Sequence, residues 1–148
     1  MIPAGLALLS ATMALIVAAL FTGAALYINA VEQPARLGLA DAALLAEWKP
    51  SYKRGTLMQA PLALLGALFG VLAFLGGYDW RWLAGGLLML ANWPFTFLVI
   101  MPVNRRLVAM TGGEPEARPL IRRWGALHAV RTALGAAATA VFAWVILL

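Results

Sequence analysis

The chain has 148 residues and a net charge of +5, with 64% of its residues hydrophobic and only 11% charged. A soluble domain is about half apolar and about a quarter charged, so this composition leaves too little polar surface to cover a water-soluble globule and indicates an integral membrane protein. The absence of cysteine excludes disulfides and a thiol nucleophile, and the basic residues stand beside apolar runs rather than along a soluble face, which argues against a nucleic-acid partner.

A bilayer core about 30 Å thick takes about 20 apolar residues at about 1.5 Å each. Runs of that length predict transmembrane helices at 5–28, 56–76, 82–103 and 125–148, forming one all-α transmembrane domain, a four-helix bundle. No period-2 alternation of the kind a barrel needs is present. The first run closes on "YINA", which has the small-x-small look of a cleavage site. It lacks a basic leader and outruns the roughly 7 to 15 residues of a signal core, so it is expected to stay as the first helix. The following loop, "VEQPARLGLADAALLAEWKPSYKRG", is too polar to span. Leu37, Leu39, Leu44, Leu45 and Trp48 predict a short interfacial helix in it, ended by Pro50.

The second span carries Pro61 and the pair Gly66 and Gly70, a G-x-x-x-G spacing that lets helices approach closely. The third holds "NWPFT", with Asn92, Pro94 and Thr96 at depth, and Pro102 near its exit. The fourth repeats small-x-x-x-small at Gly135 and Thr139. Such spacing supports a tight bundle and leaves a homo-oligomer open. Arg36, Lys49, Lys53, Arg54, Arg105, Arg106, Arg118, Arg122 and Arg123 all fall on one side of these spans, and Arg81 alone on the other. The positive-inside rule then places the long loops in the cytoplasm and both termini outside, in the inner (plasma) membrane. Trp48, Tyr52 and Trp124 on one side, and Tyr78, Trp80 and Trp82 on the other, read as aromatic belts at headgroup depth.

Polar side chains inside a membrane are costly and tend to face the bundle interior. Trp124, His128, Arg131 and Gly135 share one face of the fourth helix, and Thr22, Asn29, Glu32 and Arg36 share one face of the first if it continues past Pro34. Tyr52, Arg54 and Gln59 stand at the entrance of the second span. Asn92 and Thr96 lie deep in the third, where Asn104 and Arg105 mark the exit. A snorkelling Arg131 and interfacial ion pairs of Glu32, Arg36 and Arg54 are the plainer explanation of the charges. They explain neither the histidine nor the convergence. His128 has the one side chain that titrates near neutrality and is the natural general base, with Glu32 to orient it, while Arg131 would stabilise an oxyanion. One histidine and no cysteine make a poor zinc, copper or haem site, so no metal is expected.

The stretches "VEQPARLGL", "WKPSYKRGTLMQAPLALLG", "NWPFTFLVIMPVNRRL" and "RWGALHAVRTALG" carry the patterns N-x-x-E-x-P-x-R, W-x-P-S-Y, P-x-N-R and W-x-x-x-H-x-x-R. As a set, running from about Asn29 to Gly135, they resemble the anthrone-oxygenase-like family of small four-helix membrane proteins. The resemblance implies oxidation of a polyketide anthrone to an anthraquinone with O2 and without a bound cofactor. It also implies a site built from Asn29, Glu32, Arg36, Tyr52, Arg54, Asn104, Arg105, His128 and Arg131, with His128 removing a benzylic proton and Arg131 and Asn104 holding the anthrolate oxygen. Asn92 and Trp124 join this set from their positions on the inward faces. The expected function is thus a cofactor-independent membrane oxygenase acting on a hydrophobic aromatic small molecule. The alternative is a non-enzymatic carrier or accessory subunit in which Glu32, His128 and Arg131 form a charge relay or structural lock. A hydrophobic cavity beside His128 large enough for several fused rings would favour the first, and a continuous polar path through Asn92 to the outer side the second.

Overall fold

The computed structural model describes residues 2–77, 79–112 and 114–147. Among them are four long helices and no strand: α1 Ala4–Leu37, α2 Asp41–Gly77, α3 Trp80–Ala109 and α4 Ala117–Leu147. Each is long and apolar enough to cross a membrane, the pattern of a multi-pass membrane protein. The short connections make neighbours antiparallel, and α1 also packs against α4, so the four helices close into a ring. One end of the bundle holds the two termini and the α2–α3 turn. The other, the loop end, holds the α1–α2 and α3–α4 connections.

The half near the termini is packed with small residues. Ala14, Ala18 and Ala25 of α1, Ala63, Ala67 and Ala73 of α2 and Ala138 of α4 close around Phe21, Trp82, Met89 and Phe142. Helices α2 and α3 touch backbone to backbone. A Cβ on Gly70 would lie 2.9 Å from the Trp82 carbonyl oxygen and 3.0 Å from Gly86 Cα. The G-x-x-x-G pair is therefore used inside the chain, with Gly66 against Met89.

The loop-end half is built from larger side chains: Leu44, Leu45 and Trp48 of α2, Ile100, Val103 and Leu107 of α3, and Leu120, Ile121 and Trp124 of α4. This cluster explains why Pro50 does not end a separate interfacial helix. The helix runs unbroken from Asp41 to Gly77, through Pro50 and Pro61. A proline inside a helix costs about 3 kcal/mol. Burial of Leu44, Leu45 and Trp48 at about 1.5 to 3 kcal/mol each holds the first turns in line.

Two π-helical turns, Ile28–Glu32 in α1 and Thr96–Ile100 in α3, interrupt the regular ladder. In them Gln33 N–H donates to the Ile28 carbonyl and Met101 N–H to the Thr96 carbonyl, one residue further back than in an α-helix. Each turn ends just ahead of a proline, Pro34 or Pro102, whose missing N–H loosens the preceding turn. The extra residue rotates the remainder of the helix by about 100°, and the groups so aimed include Gln33, Arg36 and Asn104, all buried.

At the loop end, Arg118 pins the first corner. It pairs with Asp41 at 2.7 Å and donates to the carbonyls of Leu37 at 2.7 Å and Leu39 at 2.6 Å. Glu114 accepts the N–H groups of Thr111 and Gly112 at 2.7 and 2.8 Å, and these bonds, with that from Thr111 foremost, hold its carboxyl down to about 2. Of the expected belt residues, Trp80 is exposed at the terminal end, whereas Trp48, Trp82 and Trp124 are turned into the bundle. Helical phase, not depth, decides their role. Tyr78 and the final residue of the fourth expected span, Leu148, lie outside the described residues.

Candidate active site

Between the alanine-packed half and the loop-end cluster lies a layer of buried polar side chains: Gln33, Arg36, Gln59, Asn92, Asn104, His128 and Arg131. His128 is 2% exposed and is held from two sides. Its ring stacks on Trp124, with centroids 5.0 Å apart. Trp124 in turn meets the edge of Trp48, on which Tyr52 lies flat at 4.9 Å. The second support is Asn29 of the first π turn, whose Oδ1 lies 2.8 Å from His128 Nδ1.

Asn29 fixes the imidazole tautomer. Its Nδ2 donates to the Gly125 carbonyl at 2.9 Å, so the amide cannot be turned over without setting two oxygens against each other. Its Oδ1 is then purely an acceptor and takes the Thr132 hydroxyl at 2.8 Å and the His128 ring nitrogen. Nδ1 therefore carries the hydrogen, and in the neutral ring Nε2 holds the free lone pair. This arrangement requires α1 to sit close on α4. Gly125 permits it, since a Cβ there would lie 2.6 Å from Gln33 Nε2, which donates to the Ile121 carbonyl at 2.9 Å.

The two buried arginines differ in their company. Arg36 forms ion pairs with Glu32 and Glu47, and its Nε lies 2.9 Å from Glu47 Oε2, near enough for an ion pair but off-axis for a hydrogen bond. Its guanidinium also lies 5.6 Å from the Trp124 ring centre. Arg131 has no carboxylate within ion-pair distance among the described residues, and its Nε lacks a hydrogen-bond partner. Its guanidinium rests 5.5 Å from the centre of the Phe21 ring. A buried cation without an anion calls for one from outside the protein.

Arg131 stands between two adjoining pockets. The first is polar and small, with a cavity volume of about 20 Å³, and is lined by Glu32, Arg36, Tyr52, Gln59, Asn104, Trp124, His128 and Arg131. The second is apolar and larger, about 190 Å³, between α2 and α3. Thr56, Ala60 and Ala63 form one wall of it, and Trp93, Thr96, Phe97 and Met101 the other, with Asn92 and Arg131 at its inner side. Thr56, Thr96 and Arg131 line both. An apolar cavity of about 150 Å³ is enough for benzene. The larger pocket is thus of ring size, and the exposed Phe97 marks its outer side.

Glu32, Arg36, Tyr52, Asn104, Trp124, His128 and Arg131 come together around the polar pocket, Asn29 stands behind the imidazole, and Asn92 lines the apolar one. Three expectations change. The partner of His128 is Asn29, not Glu32, whose carboxylate is taken by Arg36 one helical turn further on. Arg54 and Arg105 are exposed and line neither pocket. On α2 the inward stripe is Tyr52, Thr56 and Gln59, and Arg54 lies about 200° around the helix from Tyr52. On α3 the stripe is Thr96, Ile100 and Asn104, which leaves Arg105 facing out. Sequence reasoning misses Gln33 and the depth of Gln59. Gly125 beside Trp124, and the four-residue and three-residue steps from Tyr52 to Thr56 to Gln59, are the signals that reveal them. Among the described residues no three His, Cys, Asp or Glu side chains converge as metal ligands.

A family model described as anthrone oxygenase matches residues 48–141. This chain is also similar to the anthrone oxygenase of Claviceps purpurea (strain 20.1), with 28% identity over 129 residues, covering 76% of this chain and 74% of that protein. No solved structure matches it. The matched segment takes in α3, the inward stripes of α2 and α4, the whole lining of the apolar pocket and that of the polar pocket except Ile28, Glu32 and Arg36, and the chain belongs to the anthrone oxygenase family.

Proposed function

We propose that this protein is a cofactor-independent membrane oxygenase that converts the activated CH2 of a hydrophobic aromatic ketone of the anthrone type to a carbonyl with O2. One observation carries the proposal: the Nδ1–H to Asn29 bond leaves His128 Nε2 as a base in the pocket that Arg131 enters without an anion of its own. The fused rings occupy the apolar pocket between Ala60 and Phe97, with the CH2 edge turned to the polar pocket that His128 lines and the ketone oxygen, on the opposite edge of the middle ring, beside Arg131, which lines both pockets. Nε2 removes the benzylic proton, and the charge moves through the ring system to that oxygen. There the Arg131 guanidinium holds it as an anthrolate. Trp124 and Asn29 keep the imidazole in place, and the Arg36–Glu32–Glu47 group closes the loop-end side of the pocket. The loop end of the bundle, where nearly all the basic residues lie on the helix ends, faces the cytoplasm.

A carrier would need a polar route onward from Asn92. Its Nδ2 instead donates to the Leu88 and Met89 carbonyls of its own helix, and the space beyond is filled by Ala14, Ala18, Phe21 and Phe142. The test is oxygen uptake by the purified protein in lipid nanodiscs supplied with an anthrone. His128→Ala should reduce turnover by about 10²- to 10⁴-fold at unchanged helicity and melting temperature. Full turnover by the variant would remove the base.

A further inference from the structure

The polar pocket contains groups that deprotonation of the ketone leaves unused. Gln59 is 1% exposed, and neither its Oε1 nor its Nε2 has a hydrogen-bond partner. It faces the same small pocket as His128 and Arg131. The room there, about 20 Å³, suits one water or one diatomic molecule and excludes a ring. An unpaired amide in a membrane interior opposes folding, so a group that meets it only during reaction accounts for it better than packing does.

We propose that this chamber seats dioxygen, and that Gln59 Nε2 and the Arg131 guanidinium together bind the superoxide and peroxide anions formed there. The proposal rests on the oxygenase function and the His128 base. After His128 Nε2 has taken the first proton, the carbanion passes one electron to O2, giving a carbon radical and superoxide. These combine to form a C–O bond, with the negative charge on the outer oxygen. The proton on His128 moves to that oxygen and makes a hydroperoxide. Nε2 then removes the second C–H proton as the O–O bond breaks. The pair of electrons from the C–H bond completes the carbonyl, and the departing hydroxide takes the proton from His128 and leaves as water. The sum is CH2 + O2 → C=O + H2O, with no outside reductant.

Neutral O2 gains little from an amide N–H, whereas an oxygen anion gains much. Gln59 therefore acts on the oxygen step and not on binding or deprotonation of the ketone. This separates the role of Gln59 from that of His128. The full-length protein is mixed anaerobically with an anthrone to follow the anthrolate absorbance, then mixed with buffers of graded O2 content. Gln59→Leu should form anthrolate at the wild-type rate and extent, but react with O2 about 10²-fold more slowly or worse. Gln59→Glu should be slower still, because a carboxylate repels the anion. Gln59→Met serves if the leucine variant does not fold. An unchanged oxygen rate constant, or a defect confined to anthrolate formation, would overturn the chamber's role while leaving the His128 chemistry standing. A wild-type protein that forms no anthrolate and consumes no oxygen would remove both.

Discussion

The two halves of this bundle use opposite means to hold four helices together in lipid. Toward the termini, alanine and glycine bring the backbones into contact, as at Gly70 and Gly86, and little room remains between them. Toward the loops, tryptophan and leucine build the core, and α1 meets α4 closely only at Gly125. Two π turns break the regular register there, and amides, an imidazole and two guanidinium groups are buried beside them. Lipid offers no hydrophobic drive for helix association, so close packing and polar contacts must supply cohesion. Here they are divided by level. The tight half can hold the ring closed while the other half keeps groups whose bonds are incomplete.

Separate perturbations of each half sharpen this contrast. After His128, the largest effect is expected at Arg131. Arg131→Gln should lower kcat/KM for an anthrone by about 10²- to 10³-fold, or about 2.7 to 4 kcal/mol of transition-state stabilisation, with little change in thermal stability. A large drop in melting temperature instead would make the guanidinium a structural group and blur the division. The reverse result is expected in the tight half. Gly70→Leu would push a side chain into the Trp82 carbonyl and Gly86, and overpacking of this kind costs about 1 to 3 kcal/mol. Thermal melts in nanodiscs should show that loss, and turnover per folded molecule should stay within about twofold. The smallest effect lies outside both halves, at Glu114. Its carboxyl is held from an ordinary 4.5 to about 2, so its contribution to loop order is full above pH 4.5 and is lost as the pH falls through about 2. The Gly112 amide shift should follow this titration in the wild type and not in Glu114→Gln. A midpoint at the ordinary value would mean that the loop is not closed by this side chain.

Much of the fold and the site is legible in the sequence, because helical periodicity and hydrophobic length are local properties. Four apolar runs mark the spans, and the four-residue and three-residue steps from Trp124 to His128 to Arg131 put those side chains on one inward face. The hidden part depends on phase or on distant pairing. Arg105 follows Asn104 and Arg54 stands two residues from Tyr52, and yet both point away from the pocket, because each residue on a helix turns by about 100°. Pro34 and Pro102 are visible as disturbances, but proline alone does not announce a π turn, and those turns decide where Asn29 and Asn104 point. The choice of Asn29 over Glu32 as the partner of His128 is out of reach for the same reason. It joins residues 99 positions apart and depends on how closely α1 meets α4 at Gly125.

The bonds from Asn29 to Gly125 and from Gln33 to Ile121 tie the first helix to the last. A ribosome delivers these helices in order, so a nascent chain with three of them inserted carries both amides without acceptors while it waits for the fourth. The polar pocket is therefore completed only when the fourth helix has joined the first. Any truncated product keeps a polar wound in the bilayer, the kind of flaw by which membrane quality control recognises an unfinished protein.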